Sequence, residues 1–385
     1  MTGALDSRGS RRALIAAGLA SASGLSGCGS IWPFSSGKAR MPDLPAVSGK
    51  GSIRSLWSAS FPGAVGFQPA LVGGNVWVAS PAGAVGVFEV RTGKPVWRAD
   101  AERRLLSGIG TDGRIGVVAA RDGSLLAFTD GGKLAWSVST GAEVVSVPAV
   151  GAGLVVVRSS DNRVSAFDAA SGARRWSFQR QGPPLVLRQT GAIAIDSAQA
   201  YVGLPGGRLV SLVADAGAQR WEAAVAIPRG SNEIERIADV VGTPLRSGND
   251  VCAIAFQGRL ACLDAATGRT LWSREISSSM GIALDNGALV ATDDRGHVHA
   301  FARSGASLWR QEKLAGRGLS SPLLSVAHVV VVDSEGEAHL LSRDDGAILA
   351  RVSTGGKPVT GALVGLDQLA LFQTQGGALH ALAFD

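Results

Sequence analysis

Seven tryptophans recur at nearly constant spacing, and that spacing most narrows what the chain can fold into. Trp57, Trp97, Trp136, Trp176, Trp221, Trp272 and Trp309 are separated by 40, 39, 40, 45, 51 and 37 residues. Most follow a glycine turn, as in Arg91-Thr92-Gly93-Lys94-Pro95-Val96-Trp97 and Ala266-Thr267-Gly268-Arg269-Thr270-Leu271-Trp272. An eighth copy, Asp345-Gly346-Ala347-Ile348-Leu349-Ala350, has lost its tryptophan. Upstream of each turn lie two short alternating segments around a polar turn, such as Leu154–Arg158 with Val164–Asp168. Period-two alternation about a glycine turn is a β-hairpin pattern. An innermost strand precedes each hairpin, often opened by proline, at Pro69, Pro148, Pro244 and Pro322. The 52 glycines fit many tight turns and argue against helix, where each costs about 1 kcal/mol relative to alanine. Four strands in about 40 residues, repeated eight times, predict an all-β, eight-bladed propeller of four-stranded blades.

The two ends predict how the ring closes. The last repeat, from Gly361 to Phe384, supplies three strands and stops. Ile53–Ser58 can supply the fourth, because Trp57 then sits where each outer-strand tryptophan sits. An N-terminal strand completing the last blade hides edges that would invite aggregation.

Residues 1–27 read as a lipoprotein signal peptide. A basic stretch ends at Arg11-Arg12, Ala13–Ala20 is apolar, and Leu25-Ser26-Gly27-Cys28 matches the bacterial lipobox. The apolar run is shorter than the roughly 20 residues a bilayer span needs. The match implies cleavage before Cys28 and lipidation there, several acyl chains together giving lasting attachment. Gly29 points to the outer membrane, and Arg11-Arg12 raises twin-arginine export as a further route. Residues 28–50 are then a lipidated cysteine and flexible tether, and 51–385 the propeller. Removing 1–27, with Arg8, Arg11 and Arg12 against Asp6, lowers the formal charge from +6 to +4. With no basic run or aromatic-interleaved stripe, no nucleic-acid partner is expected.

Two steps of the repeat are stretched, so two loops carry insertions. One is Gln179–Gln189 and the other Ile227–Gly242; in consecutive blades they open side by side on one face. Leu185, Leu187 and Arg188 in the first, and Arg229, Glu233, Glu235, Arg236 and Asp239 in the second, place apolar anchors among both charge signs. That composition suits a protein-docking surface. It would equally suit leucines capping a blade with charges paired among themselves.

The repeat, with Ala-x-Asp-x-x-x-Gly-x-x-x-Trp at Ala166–Trp176, is similar to that of quinoprotein dehydrogenases. From Cys28 to Asp385 the chain more closely resembles the BamB family, lipoproteins of the outer-membrane β-barrel assembly machinery. In that family a Leu-x-Leu-Arg motif and an acidic motif after Glu-Ile-x-Arg meet the periplasmic POTRA domains of BamA. Leu185, Leu187 and Arg188 match the first, and Glu233-Ile234-Glu235-Arg236-Ile237-Ala238-Asp239 most of the second. Val241 stands where the family commonly has a second aspartate. The resemblance implies a non-catalytic scaffold with BamA and the rest of the complex as partners, nascent outer-membrane proteins among its possible clients, and no cofactor.

Other signals point elsewhere or nowhere. His299, His339 and His380 occupy equivalent third-strand positions of successive blades, too far apart to share an ion. His297 with His299 leaves a site incomplete, so no metal is expected. Cys252 and Cys262 lie on two arms of one hairpin; a two-residue Gln257-Gly258 turn would point them to opposite faces and leave two free thiols. No catalytic residues stand out. A quinone-dependent dehydrogenase is the enzyme alternative, but there is no vicinal cysteine pair and no large insertion. A scaffold for a different envelope complex is the other alternative.

Overall fold

A computed structural model describes residues 41–385 apart from 48, 64, 65, 184, 188–190, 192 and 360. The expected signal peptide and Cys28 lie outside the described residues. The described chain is all strand, turn and loop, arranged as eight four-stranded antiparallel sheets. Seven blades are built from consecutive strands, spanning 70–100, 110–139, 149–179, 193–224, 240–274, 282–311 and 323–353. The eighth takes three strands from 364–384 and its outer strand from Ile53–Ser60, which pairs with Ala378–Phe384. Closure by the N-terminal strand is therefore as the sequence pattern requires.

The second and third strands of each blade are almost wholly buried, as in Leu154–Arg158 and Ser124–Thr129. Their Val, Leu, Ala and Phe side chains face both neighbouring sheets, so the core is a series of apolar layers between blades. Outer strands alternate exposed and buried residues, as in Arg174–Gln179. That is the pattern of a sheet with one side to water.

The repeated tryptophan and glycine meet across blades and not within one. In all eight sheets the pairing of third and outer strands shifts register beside the tryptophan position. Such a bulge re-aims a side chain, here onto the glycine turn of the next blade. Trp176 Nε1 donates to the Ala214 carbonyl at 2.8 Å, and Trp221 Nε1 to the Ala265 carbonyl at 3.0 Å. Gly217 and Gly268 lie flat against those indoles with φ of 73° or less on the positive side, so they meet both a steric and a backbone requirement. Trp57 reaches Val90 of the first blade in the same way, across the closure.

The missing eighth tryptophan has a structural reason. Its position is Ala350, opposite Leu340 as Trp309 is opposite Ala300. The next blade there has no turn between third and outer strands, because Ala378–Phe384 and Ile53–Ser60 are not consecutive in the chain. Residues 49–51 pass instead, with Gly49 and Gly51 packed on Leu349. Just before them, Pro42 and Pro45 give their carbonyls to Arg317 and Arg351.

The hairpin of blade 5 corrects one expectation. Ala255 N donates to the Arg259 carbonyl, so the loop has three residues, Phe256–Gly258, with Gln257 left-handed at φ 46°. One extra loop residue moves the register by one and places Cys252 directly opposite Cys262. The two cysteines share a face and form a disulfide. They are not free thiols.

Candidate partner-docking surface

Strands alternate in direction within a blade, so two kinds of connection open on the same face. These are the loops from an outer strand to the next inner strand and the hairpins between second and third strands. The first inserted loop runs from Gln179 to Ile193, and the second from Ala224 to Val240. The second is shorter than the tryptophan spacing suggests, since residues 240–242 already belong to the inner strand Val240–Ser247. That strand is itself long for its position, with Pro244 at a register break where no ladder hydrogen bond is asked of it.

Asp239 joins the two loops. It is buried, and its carboxylate accepts the backbone N–H of Leu187 at 2.6 Å and that of Gly206 at 3.0 Å. Gly206 belongs to the hairpin of blade 4, so one side chain ties three segments together. Its own carbonyl accepts from Phe256 N at 2.9 Å. Behind it lies Arg158, also buried. Burial pushes that guanidinium's pKa down, and the negative charge of Asp239 acts in the opposite direction. A charge in the right place makes the buried arginine tolerable. Asp239, expected as a partner contact, is therefore a positioning group beneath the surface.

The two leucines have separate roles. Leu187 is half-buried and packs on the layer containing Val241, Cys252, Ile254 and Leu260. Leu185 is 41% exposed. In the second loop Ile227 and Ile234 are more exposed still, at 58% and 67%. The sequence reading misses both isoleucines as anchors, although hydrophobic residues inside a charged loop are the available signal. Arg188 lies outside the described residues. Val241 is 2% exposed, paired with Ile254. An acidic side chain there would sit in an apolar layer, so the position packs the core here.

The charged residues of the second loop largely organise the loop itself. Glu235 accepts Ser231 N at 2.7 Å and Ser231 Oγ at 3.0 Å, and these bonds hold its carboxyl below the ordinary value. Glu235 N donates to Asn232 Oδ1 at 2.9 Å. Arg236 donates to the Gly230 carbonyl at 3.1 Å and lies 3.8 Å from Glu233. Arg229, Glu233, Glu235 and Arg236 are nonetheless all exposed. The result is a shaped turn that presents Ile227 and Ile234 among charges of both signs.

The comparisons with known proteins agree with this architecture. A family model described as outer membrane protein assembly factor BamB matches residues 81–311 and 294–385. A protein of that name from Bordetella pertussis is 38% identical over 92% of this chain and 93% of its own length. The crystal structure of BamB from Moraxella catarrhalis superposes with a TM-score of 0.79 at 26% identity, covering 86% of this chain and all of that one. A quinohemoprotein alcohol dehydrogenase from Pseudomonas putida shares the fold alone, at 15% identity and a TM-score of 0.64 over 86% of this chain and 76% of its own. By sequence along nearly its whole length and by fold, the chain belongs to the family of outer membrane protein assembly factor BamB, whose members are named as assembly factors and not as enzymes.

Proposed function

We propose that the chain is a non-catalytic scaffold lipoprotein of the outer-membrane β-barrel assembly machinery. Anchored by lipid on Cys28 at the periplasmic face of the outer membrane, it docks on the POTRA domains of BamA and aids insertion of outer-membrane β-barrel proteins. The docking surface is the pair of loops 180–192 and 225–239. The observation that carries this reading is the Asp239 junction, which fixes two adjacent inserted loops into one surface. Leu185, Ile227 and Ile234 are exposed in these loops, and so are Arg229, Glu233 and Arg236. Exposed apolar anchors held rigidly within a polar rim are the anatomy of a protein interface, and pre-organised loops lose little entropy on binding.

The test is a titration of the soluble chain from Gly29 onward against BamA POTRA domains. The ring closes within residues 53–384, so this form retains the whole fold. Saturable binding by the wild type, lost in a Leu185→Glu, Arg188→Glu variant of unchanged melting temperature, supports the reading. A folded wild type that does not bind sinks the partner assignment.

A further inference from the structure

The same face carries a second cluster, two blades away from the docking loops, in the hairpin between second and third strands of blade 6. Asp293, His297 and His299 bring one carboxylate oxygen and two ring nitrogens within 4.8 Å of one another. Asp293 Oδ2 lies 2.8 Å from His297 Nδ1 and 2.9 Å from His299 Nε2. The local sequence explains the convergence. His297 and His299 are two apart on an extended segment and share a face. Asp293 precedes a glycine turn whose backbone N–H groups at Arg295 and His297 bind Oδ1, leaving Oδ2 aimed at the rings. The His299 ring is further oriented by stacking on Phe301, 3° from parallel.

Blade 7 shows what an ordinary structural version of this turn looks like. Asp333 is equivalent, its Oδ1 accepting Glu335 N and Glu337 N and its Oδ2 facing His339 at 3.1 Å. There a buried arginine, Arg317, meets Oδ2 at 2.6 Å and neutralises it. Counting back six residues from the paired inner-strand positions Leu323 and Ala283 gives Arg317 in blade 7 and Ser277 in blade 6. The second histidine is likewise replaced in blade 7, by Glu337. Blade 6 therefore lacks the fixed internal cation and adds one ring nitrogen, that of His297, to the histidine both blades carry. Its cationic neighbour is the half-exposed Arg310, whose Nη2 lies 2.9 Å from His297 Nδ1. That nitrogen faces a donor from Arg310 and an acceptor from Asp293 at once and can satisfy only one. Arg310 has an alternative partner outside, Glu312, at 3.0 Å.

We infer that Asp293, His297 and His299 form a binding site for a divalent first-row transition ion of the zinc class. Two imidazoles and a carboxylate suit such an ion. Ligand atoms about 2.0–2.1 Å from a tetrahedral ion lie about 3.3–3.4 Å apart, which moves Asp293 Oδ2 only slightly out from its 2.8 and 2.9 Å contacts with the two rings. The three side chains are 11 to 13% exposed, so the cluster lies just beneath the surface. On binding, each neutral imidazole turns the lone pair of the nitrogen facing Asp293 to the ion and carries its proton on the other ring nitrogen, and Arg310 turns out to Glu312. Asp293 supports the ligands through backbone bonds that the ion does not disturb.

The experiment titrates the untagged soluble chain, stripped with chelator, with Zn²⁺ by calorimetry and with Co²⁺ by visible absorption. One ion per chain is expected, with a Co²⁺ band diagnostic of nitrogen and oxygen ligands. His299→Gln and His297→Gln should each weaken binding by more than about 100-fold, beyond the range for outer-shell partners. Arg310→Ala should tighten it, which a purely structural cluster would not predict. Binding no tighter than millimolar, or binding unchanged in folded His299→Gln, overturns the site. Loss of metal binding leaves the POTRA titration unaffected, so the two proposals fail separately.

Discussion

Gly217 lies beneath the indole of Trp176, so close that a Cβ on the glycine would come within 2.5 Å of the ring. The glycine also has φ +68°, a region costly for side-chain-bearing residues. Trp176 and Gly217 belong to adjacent blades, so their contact is a unit of ring cohesion. Gly217→Ala should destabilise the propeller by about 2–4 kcal/mol, from overpacking and left-handed strain together. Urea unfolding measures it; an unchanged midpoint would mean that the blades slide apart freely at this contact.

Asp239 should act on partner binding without being seen by the partner. Asp239→Ala leaves the Leu187 and Gly206 amides unpaired and Arg158 without its counter-charge. The expected cost is about 2–5 kcal/mol of stability, with POTRA affinity lowered as well. Amide exchange would separate the two effects. Loosening confined to 180–192 and 205–207, with the blades still protected, is the expected pattern.

The Cys252–Cys262 disulfide closes a short loop, ten residues in separation. The chain-entropy model assigns such a cross-link about 2–3 kcal/mol. A Cys252→Ser, Cys262→Ser variant should melt correspondingly lower, and reductant should lower the wild-type melting temperature but not that of the variant.

His380 gives the fold a pH dependence of definite sign. Its ring stacks on Phe372 at 5.5 Å, and burial pushes its pKa down. In the unfolded chain a histidine titrates near pH 6.5. Between that value and the lower folded one, the unfolded state binds the extra proton. Stability associated with His380 is therefore complete above about pH 6.5 and lost as pH falls through the folded value. A His380→Gln variant should show a flatter decline in melting temperature between pH 7.5 and 5. Parallel profiles would contradict the sign argument.

The blades were legible in sequence because tryptophan, glycine and strand alternation all follow one chain period. Details hanging on a single residue were not. The Cys252–Cys262 pairing turns on whether the hairpin loop has two residues or three, and Gln257-Gly258 reads naturally as two. Asp239 stands with Glu233, Glu235 and Arg236 in a charged loop that reads as a docking surface, and only the folded positions of Leu187 and Gly206 reveal it as buried. His299, His339 and His380 do align by register, as their spacing implied. That alignment drew attention across blades, whereas the ligand that completes a local set, Asp293, lies four residues before His297.

The pairing of Ile53–Ser60 with Ala378–Phe384 makes the fold a test of its own completeness. Synthesis proceeds from the N-terminus, so Trp57 is made early but has no strand beside it until Ala378–Phe384 is made. A chain cut short by even one strand is left with two raw sheet edges and apolar layers open to water. Such a molecule invites aggregation and proteolysis. Only a chain that holds both Ile53–Ser60 and Ala378–Phe384 can finish this blade.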